Sequence, residues 1–218
     1  IALIGHSEGG LVAAAAAGAV PARAVVMLAG PAVPVEVMLH DQARAISREA
    51  GASAAQLAHE RGMNEAAFAA ARGGAGTVEV AGIIADRLRT WPGAPLATPE
   101  EIAANAEVMA GIICAPAYRG TLRLEPGAIL AAVEAPILAV YGGKDRQVAG
   151  HANRAAFVRA TAANASAATM LFDDLNHLFQ RAGTGSIGEY EGLAPGPEQA
   201  VLEAVSGWLE RLPAAQLE

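Results

Sequence analysis

Ser7 stands in the run Gly5-His6-Ser7-Glu8-Gly9-Gly10, directly after an apolar stretch at 1–4 and directly before an alanine-rich one. The pattern is G-x-S-x-G. On a sharp strand-to-helix turn a serine hydroxyl is pushed clear of the backbone, and glycines two residues to either side remove side chains that would clash there. A helix N-terminus directs its N–H dipoles to the place where an oxyanion would form. The backbone N–H of Glu8 is then the natural oxyanion donor. The competing reading is an ordinary glycine-rich turn; a strand before and a helix after weigh against it.

A serine alone is a poor nucleophile and needs a base that a third group holds in place. Of five histidines, His6 lies inside the turn and is expected to pack or bond locally. His40 and His59 fall on helical segments, where half-buried or solvated structural roles are expected, and His151 opens a helix. His177 differs. It sits in Asp173-Asp174-Leu175-Asn176-His177-Leu178-Phe179, just past an apolar strand, and parallel sheets present functional groups past the C-terminal ends of their strands. Asp145, in Gly142-Gly143-Lys144-Asp145, occupies the same kind of place. Asp173 and Asp174 are nearer His177 in sequence but close a strand and are expected to cap its turn. Ser7 as nucleophile, Asp145 as orienting acid and His177 as general base stand in the chain order Ser–Asp–His of an α/β-hydrolase triad.

These residues need a parallel sheet to bring them together. Residues 1–4 read as the end of a buried strand, 9–19 as a helix closed by Gly18 and Pro21, and 24–28 as a second strand stopped by Gly30-Pro31. Strand–helix–strand is the signature of a parallel sheet with crossover helices. From Pro34 to about Gly120 four helical segments follow with no convincing strand. The clearest spans 99–111, with Thr98 as cap, Pro99 in the first turn and Glu101 completing a capping box. A third strand is expected over 136–141, a helix over 151–163, a short fourth strand over 169–172 and a glycine-rich loop over 182–196. The last helix carries Val201, Leu202, Val205, Trp208, Leu209 and Leu212 as one apolar stripe. The expected organisation is a core of 1–33 and 121–218 with a helical insertion at 34–120.

Composition agrees with one sizeable core in 218 residues. A net charge of −7 with no basic run argues against nucleic acid. No stretch is long and apolar enough to span a bilayer. The single cysteine, Cys114, allows no intrachain disulfide and is expected to pack in the helical region. Met38, Met63, Met109, Trp91 and Trp208 are expected to be packing residues. His59-Glu60 is no zinc helix, because Met63 stands where H-E-x-x-H needs its second histidine. Gly73 to Gly76 lacks the lysine of a phosphate-binding loop, and no Cys/His cluster has metal spacing. No cofactor and no metal are expected.

Three motifs, Gly5-His6-Ser7-Glu8-Gly9-Gly10, Gly142-Gly143-Lys144-Asp145-Arg146-Gln147-Val148 and Asn176-His177-Leu178-Phe179-Gln180, together with Thr184-Gly185-Ser186 and Glu189-Tyr190, resemble the bacterial α/β-hydrolases: esterases, lysophospholipase-like enzymes and S9/S33-like peptidases. The resemblance covers nearly the whole chain. It implies an α/β-hydrolase fold, a Ser-His-Asp triad, a small-molecule ester or acyl substrate, a bacterial protein and a helical insertion acting as cap; whether it is cytoplasmic or exported does not follow from the sequence. It also implies strands before the serine turn and a loop giving a second oxyanion N–H. The sequence carries neither, so it is expected to be N-terminally truncated and, alone, aggregation-prone and weakly active. Ester hydrolysis through an acyl-enzyme is the leading expectation. An acyltransferase or small-peptide hydrolase with the same triad, and a non-catalytic module retaining the fold, are the alternatives. Epoxide hydrolases and dehalogenases are disfavoured, because they use aspartate where this chain has Ser7. Acyl length and oligomeric state do not follow from the sequence.

Overall fold

The structure, a computed structural model, describes residues 1–93 and 97–213. Four strands, β1 (Ala2–His6), β2 (Ala24–Leu28), β3 (Ile137–Gly142) and β4 (Ala167–Phe172), form one parallel sheet in the order β1-β2-β3-β4. Val25 pairs with Leu3 on one side and Ile137 on the other, and Ile137 with Ala167. The inner strands are nearly continuous apolar runs, as burial on both faces demands. Val25, Met27, Ile137, Ala139 and Tyr141 turn to one face. There they meet α1 (Glu8–Ala16), α7 (Pro126–Ala131) and α8 (Gly150–Ala160). Ala24, Val26, Leu138 and Val140 turn to the other, where α9 (Gln199–Glu210) supplies Val201 and Trp208. The fold class is α/β: a parallel sheet with helices on both faces.

The chain divides into two compact units. One comprises Ile1–Pro34 and the chain from Glu125 onward; the other is Val35–Leu124. The second is helical: α2 (Val35–Glu49), α3 (Ala54–Arg72), α4 (Thr77–Arg89), α5 (Pro99–Ile113) and α6 (Pro116–Leu122). Met63, Phe68, Val80, Ile84, Ala106 and Ile113 form its core. Met109 packs against that core and also lines a cavity of about 280 Å³ with Leu39, Ile46, Phe68 and Tyr118. Cys114 is half-buried beside the same core. Among the described residues no helix is long and apolar enough to cross a membrane.

Local sequence explains several of the helix starts. Thr98 and Glu101 form the full capping box at α5, and Ser53 and Gln56 form a second at α3, which the S-x-x-Q spacing also signals. Two short helices, α6 and α7, were not anticipated; each has proline in its first turn, where a missing N–H costs nothing. β4 begins two residues earlier than expected, since pairing of Ala167 and Ala168 with Ile137 and Leu138 overrides the weak strand preference of alanine. Thr98→Ala is expected to lower unfolding stability by about 1 kcal/mol, read as a shift of the urea midpoint.

Candidate active site

Because the strands are parallel, the loops after β1, β3 and β4 leave the sheet on the same edge. Ser7 follows β1 directly, Asp145 lies three residues past β3 and His177 five past β4. Ser7 has φ 56° and ψ −129°, a conformation that costs a non-glycine residue about 1–3 kcal/mol. It is held there from both sides. Its N–H donates to Leu28 O at 2.8 Å, and its own carbonyl accepts from Gly10 N at 2.9 Å. The Ser7 side chain makes no capping bond to α1. Ala29, just past β2, and Phe179, two residues after His177, are the other described non-glycine residues at positive φ. Backbone strain of this kind gathers at functional sites, and all three instances lie just past the C-terminal ends of strands or in the histidine loop.

The turn depends on its glycines unequally. A Cβ on Gly5 would lie 1.9 Å from the Gly9 carbonyl oxygen, whereas one on Gly9 would meet nothing within 4 Å. A Cβ on Gly10, instead, would lie 3.2 Å from both Gly30 Cα and Gly5 O. The steric demand thus falls on Gly5 and Gly10, not symmetrically on Gly5 and Gly9. Gly5→Ala is expected to disrupt the turn and lower stability, while Gly9→Ala, inside α1, is expected to keep it or raise it by about 0.5–1 kcal/mol. Urea unfolding of both variants checks the contrast.

Asp145 and His177 are joined. His177 Nδ1–H donates to Asp145 Oδ2 at 2.8 Å, with the residues 4% and 5% exposed. The other carboxylate oxygen, Oδ1, accepts the backbone N–H of Gln147 and of Val148, each at 2.8 Å. A buried carboxylate needs its acceptors filled, and here both are. Since Nδ1 must carry the proton to bond a carboxylate, the neutral imidazole keeps its lone pair on Nε2.

The loops that carry this pair are built on each other. Lys144 N donates to Leu175 O at 2.9 Å and Gly143 N to Phe172 O at 2.8 Å. A Cβ on Gly142 would sit 2.4 Å from Leu175 O, and one on Gly143 2.5 Å from Asp173 O. These glycines do more than stop β3: they let the acid loop lie on the histidine loop. Asn176, fully buried, shapes the latter through Oδ1, which accepts from Leu178 N and Gln180 N at 2.9 Å. The exposed Asp174 carboxylate instead pairs with Lys144 at 3.6 Å and Arg181 at 3.5 Å.

His6 departs from expectation. Its Nε2–H donates to the His177 carbonyl oxygen at 2.8 Å, and the two rings lie 4.7 Å apart. The contact is long-range rather than local, and it ties the residue before Ser7 to the histidine loop. Ser7 itself is not hydrogen-bonded to His177 in this structure; catalytic bonds are often long in the absence of substrate. Glu8 opens α1, placing its backbone N–H at the helix start. His40 and His59 lie on α2 and α3, and His151 on α8, as expected. His59 Nε2 bonds Arg87 O at 2.7 Å. Among the described residues no group of three or more His, Cys, Asp or Glu could hold a metal ion.

Gln147 and Tyr190 stand in the motifs quoted from the sequence, but their contact was not signalled there. Gln147 Nε2 donates to the Tyr190 hydroxyl at 3.3 Å. Burial pushes that hydroxyl above the ordinary tyrosine range; Gln147 opposes the rise, the Asp145 carboxylate adds to it, and the His177 backbone N–H opposes it.

No protein-family model matches the chain, and no curated protein matches it. Among solved structures it is similar to an esterase from Pyrococcus furiosus, at 14% identity and a TM-score of 0.49, over 98% of this chain and 54% of that one. It is also similar to BpoC of Mycobacterium tuberculosis H37Rv, described as a non-heme bromoperoxidase, at 15% identity and a TM-score of 0.45, over 98% of this chain and 68% of that one. The chain therefore spans about half the length of the first. Both are likenesses of chain path, and the chemistry of the site stands on its own geometry.

Proposed function

We propose that this chain carries the triad of a serine hydrolase that cleaves carboxylic esters through an acyl-enzyme. The observation that carries the reading is the buried His177–Asp145 bond at 2.8 Å. It fixes the tautomer whose Nε2 can take a proton, on the edge of the sheet where Ser7 sits on its strained turn. Ser7 Oγ attacks the ester carbonyl while His177 Nε2 takes its proton. The carbonyl oxygen becomes an oxyanion stabilised by the Glu8 backbone N–H at the start of α1. Collapse breaks the bond to the leaving alkoxide, which receives the proton from His177. A water molecule, deprotonated by the same nitrogen, then releases the acid and restores Ser7. Asp145 orients the imidazole and offsets its charge while it is protonated. The helical unit, inserted in the chain between the serine turn and the acid loop, is proposed as the part that selects the small-molecule substrate.

The test is presteady-state hydrolysis of p-nitrophenyl esters of graded acyl length. The expected result is a burst of p-nitrophenol stoichiometric with Ser7, followed by slower turnover. Added alcohol or amine measures how the acyl-enzyme partitions, which separates a hydrolase from an acyltransferase. No ester turnover and no burst from folded protein would contradict the proposal.

A further inference from the structure

The segment after the histidine loop, residues 182–190, has no part in the reaction as written, yet it is built against the acid loop. Lys144 Nζ donates to Ala182 O at 2.7 Å, and Arg146 Nε to Thr184 O at 3.0 Å. Gly185 has φ 77°, and a Cβ there would lie 1.8 Å from Lys144 O, so only glycine allows the approach. The segment is held in shape by one carboxylate. Glu189 Oε1 accepts the N–H and the hydroxyl of Thr184, each at 2.7 Å, and Oε2 accepts Gly185 N at 3.0 Å. The next residue, Tyr190, places its hydroxyl on the Gln147 side chain. The backbone N–H of that same Gln147 holds Asp145 Oδ1, leaving Oδ2 for His177.

We propose that residues 182–190 form a clasp on the acid loop, pinned by Glu189, and that Tyr190 is a positioning residue that keeps the Asp145 carboxylate aimed at His177 through Gln147. The proposal rests on the triad reading above but can be tested apart from it. Tyr190→Phe removes one hydroxyl and keeps the ring, so the fold is retained. Two readouts are taken on the full chain: the rate of Ser7 labelling by a fluorophosphonate, and the low-field proton resonance of His177 Nδ1–H.

Tyr190→Phe is expected to slow labelling by about three- to tenfold, the range that one hydrogen bond supports, and to shift or broaden the His177 resonance. Gln147→Ala is expected to do the same. The double variant should fall no further than Tyr190→Phe, because that variant already removes the hydroxyl to which Gln147 bonds. Wild-type labelling together with an unmoved resonance in Tyr190→Phe would overturn the proposal, as would losses that multiply in the double variant. If the unaltered protein does not label, the hydrolase reading fails, and the resonance alone then decides the clasp.

Discussion

Replacing Ser7 or His177 by alanine is expected to remove ester hydrolysis down to background, a loss of at most the order of 10⁶ in kcat, with the two losses not adding in the double variant. The reason lies in how the site divides its work. In the proposed mechanism Ser7 supplies the atom that bonds the acyl carbon, and without it no acyl-enzyme would form. His177, bonded to the buried Asp145 carboxylate, is proposed as the base, and without it the serine hydroxyl would keep its proton. Each removal disables the same step, so the second costs little more. The parallel sheet and the strained turn remain in both variants, so unfolding midpoints should stay close to that of the unaltered protein. A His177→Ala variant that kept substantial turnover would place the base elsewhere.

Asp145→Asn is expected to cost ~10⁴ in kcat, and the surrounding bonds say why. Oδ1 of Asp145 faces two backbone donors, Gln147 N–H and Val148 N–H. An asparagine must turn its carbonyl oxygen to those donors, which leaves its NH₂ against His177 Nδ1. A donor there forces Nδ1 to accept, and the ring proton moves to Nε2. The imidazole is then the wrong tautomer to receive the proton of Ser7. Asp174→Asn makes the contrasting control. Its side chain is 62% exposed and paired with Lys144 and Arg181, so turnover should stay near the unaltered value. If Asp145→Asn were nearly silent and Asp174→Asn costly, the acid would have been misassigned. Steady-state kinetics of the two variants side by side decides this.

The residues proposed for the triad stand out in the sequence because each sits where a local pattern changes. Ser7 falls between an apolar run and an alanine-rich helix, and Asp145 and His177 come just after β3 and β4. The strand-to-loop transitions were visible as apolar runs ended by Gly142-Gly143 and Asp173-Asp174. What supports these residues was not legible, because it is made by contacts between distant segments. His6 meets His177 across 171 positions, and Gln147 meets Tyr190 across 43. Hydrophobic periodicity carries no information about such pairs. Gly142-Gly143 were visible as a strand stop, yet the carbonyls of Leu175 and Asp173 that forbid a side chain there belong to another loop. Likewise the G-x-S-x-G pattern pointed to Gly9, whereas the close approach in space falls to Gly10 against Gly30. Helices α6 and α7 are shorter than the window over which helical periodicity can be read, and only their first-turn prolines announced them.

Ser7, as proposed, is a nucleophile activated by His177. Treating the protein with a fluorophosphonate, measuring intact mass and mapping the adduct by peptide sequencing, with Ser7→Ala and His177→Ala alongside, puts this to the test. The expected result is one adduct per chain, located on Ser7, absent from Ser7→Ala and all but absent from His177→Ala. An adduct on another residue, equal labelling of His177→Ala, or no adduct on soluble and folded protein would contradict it.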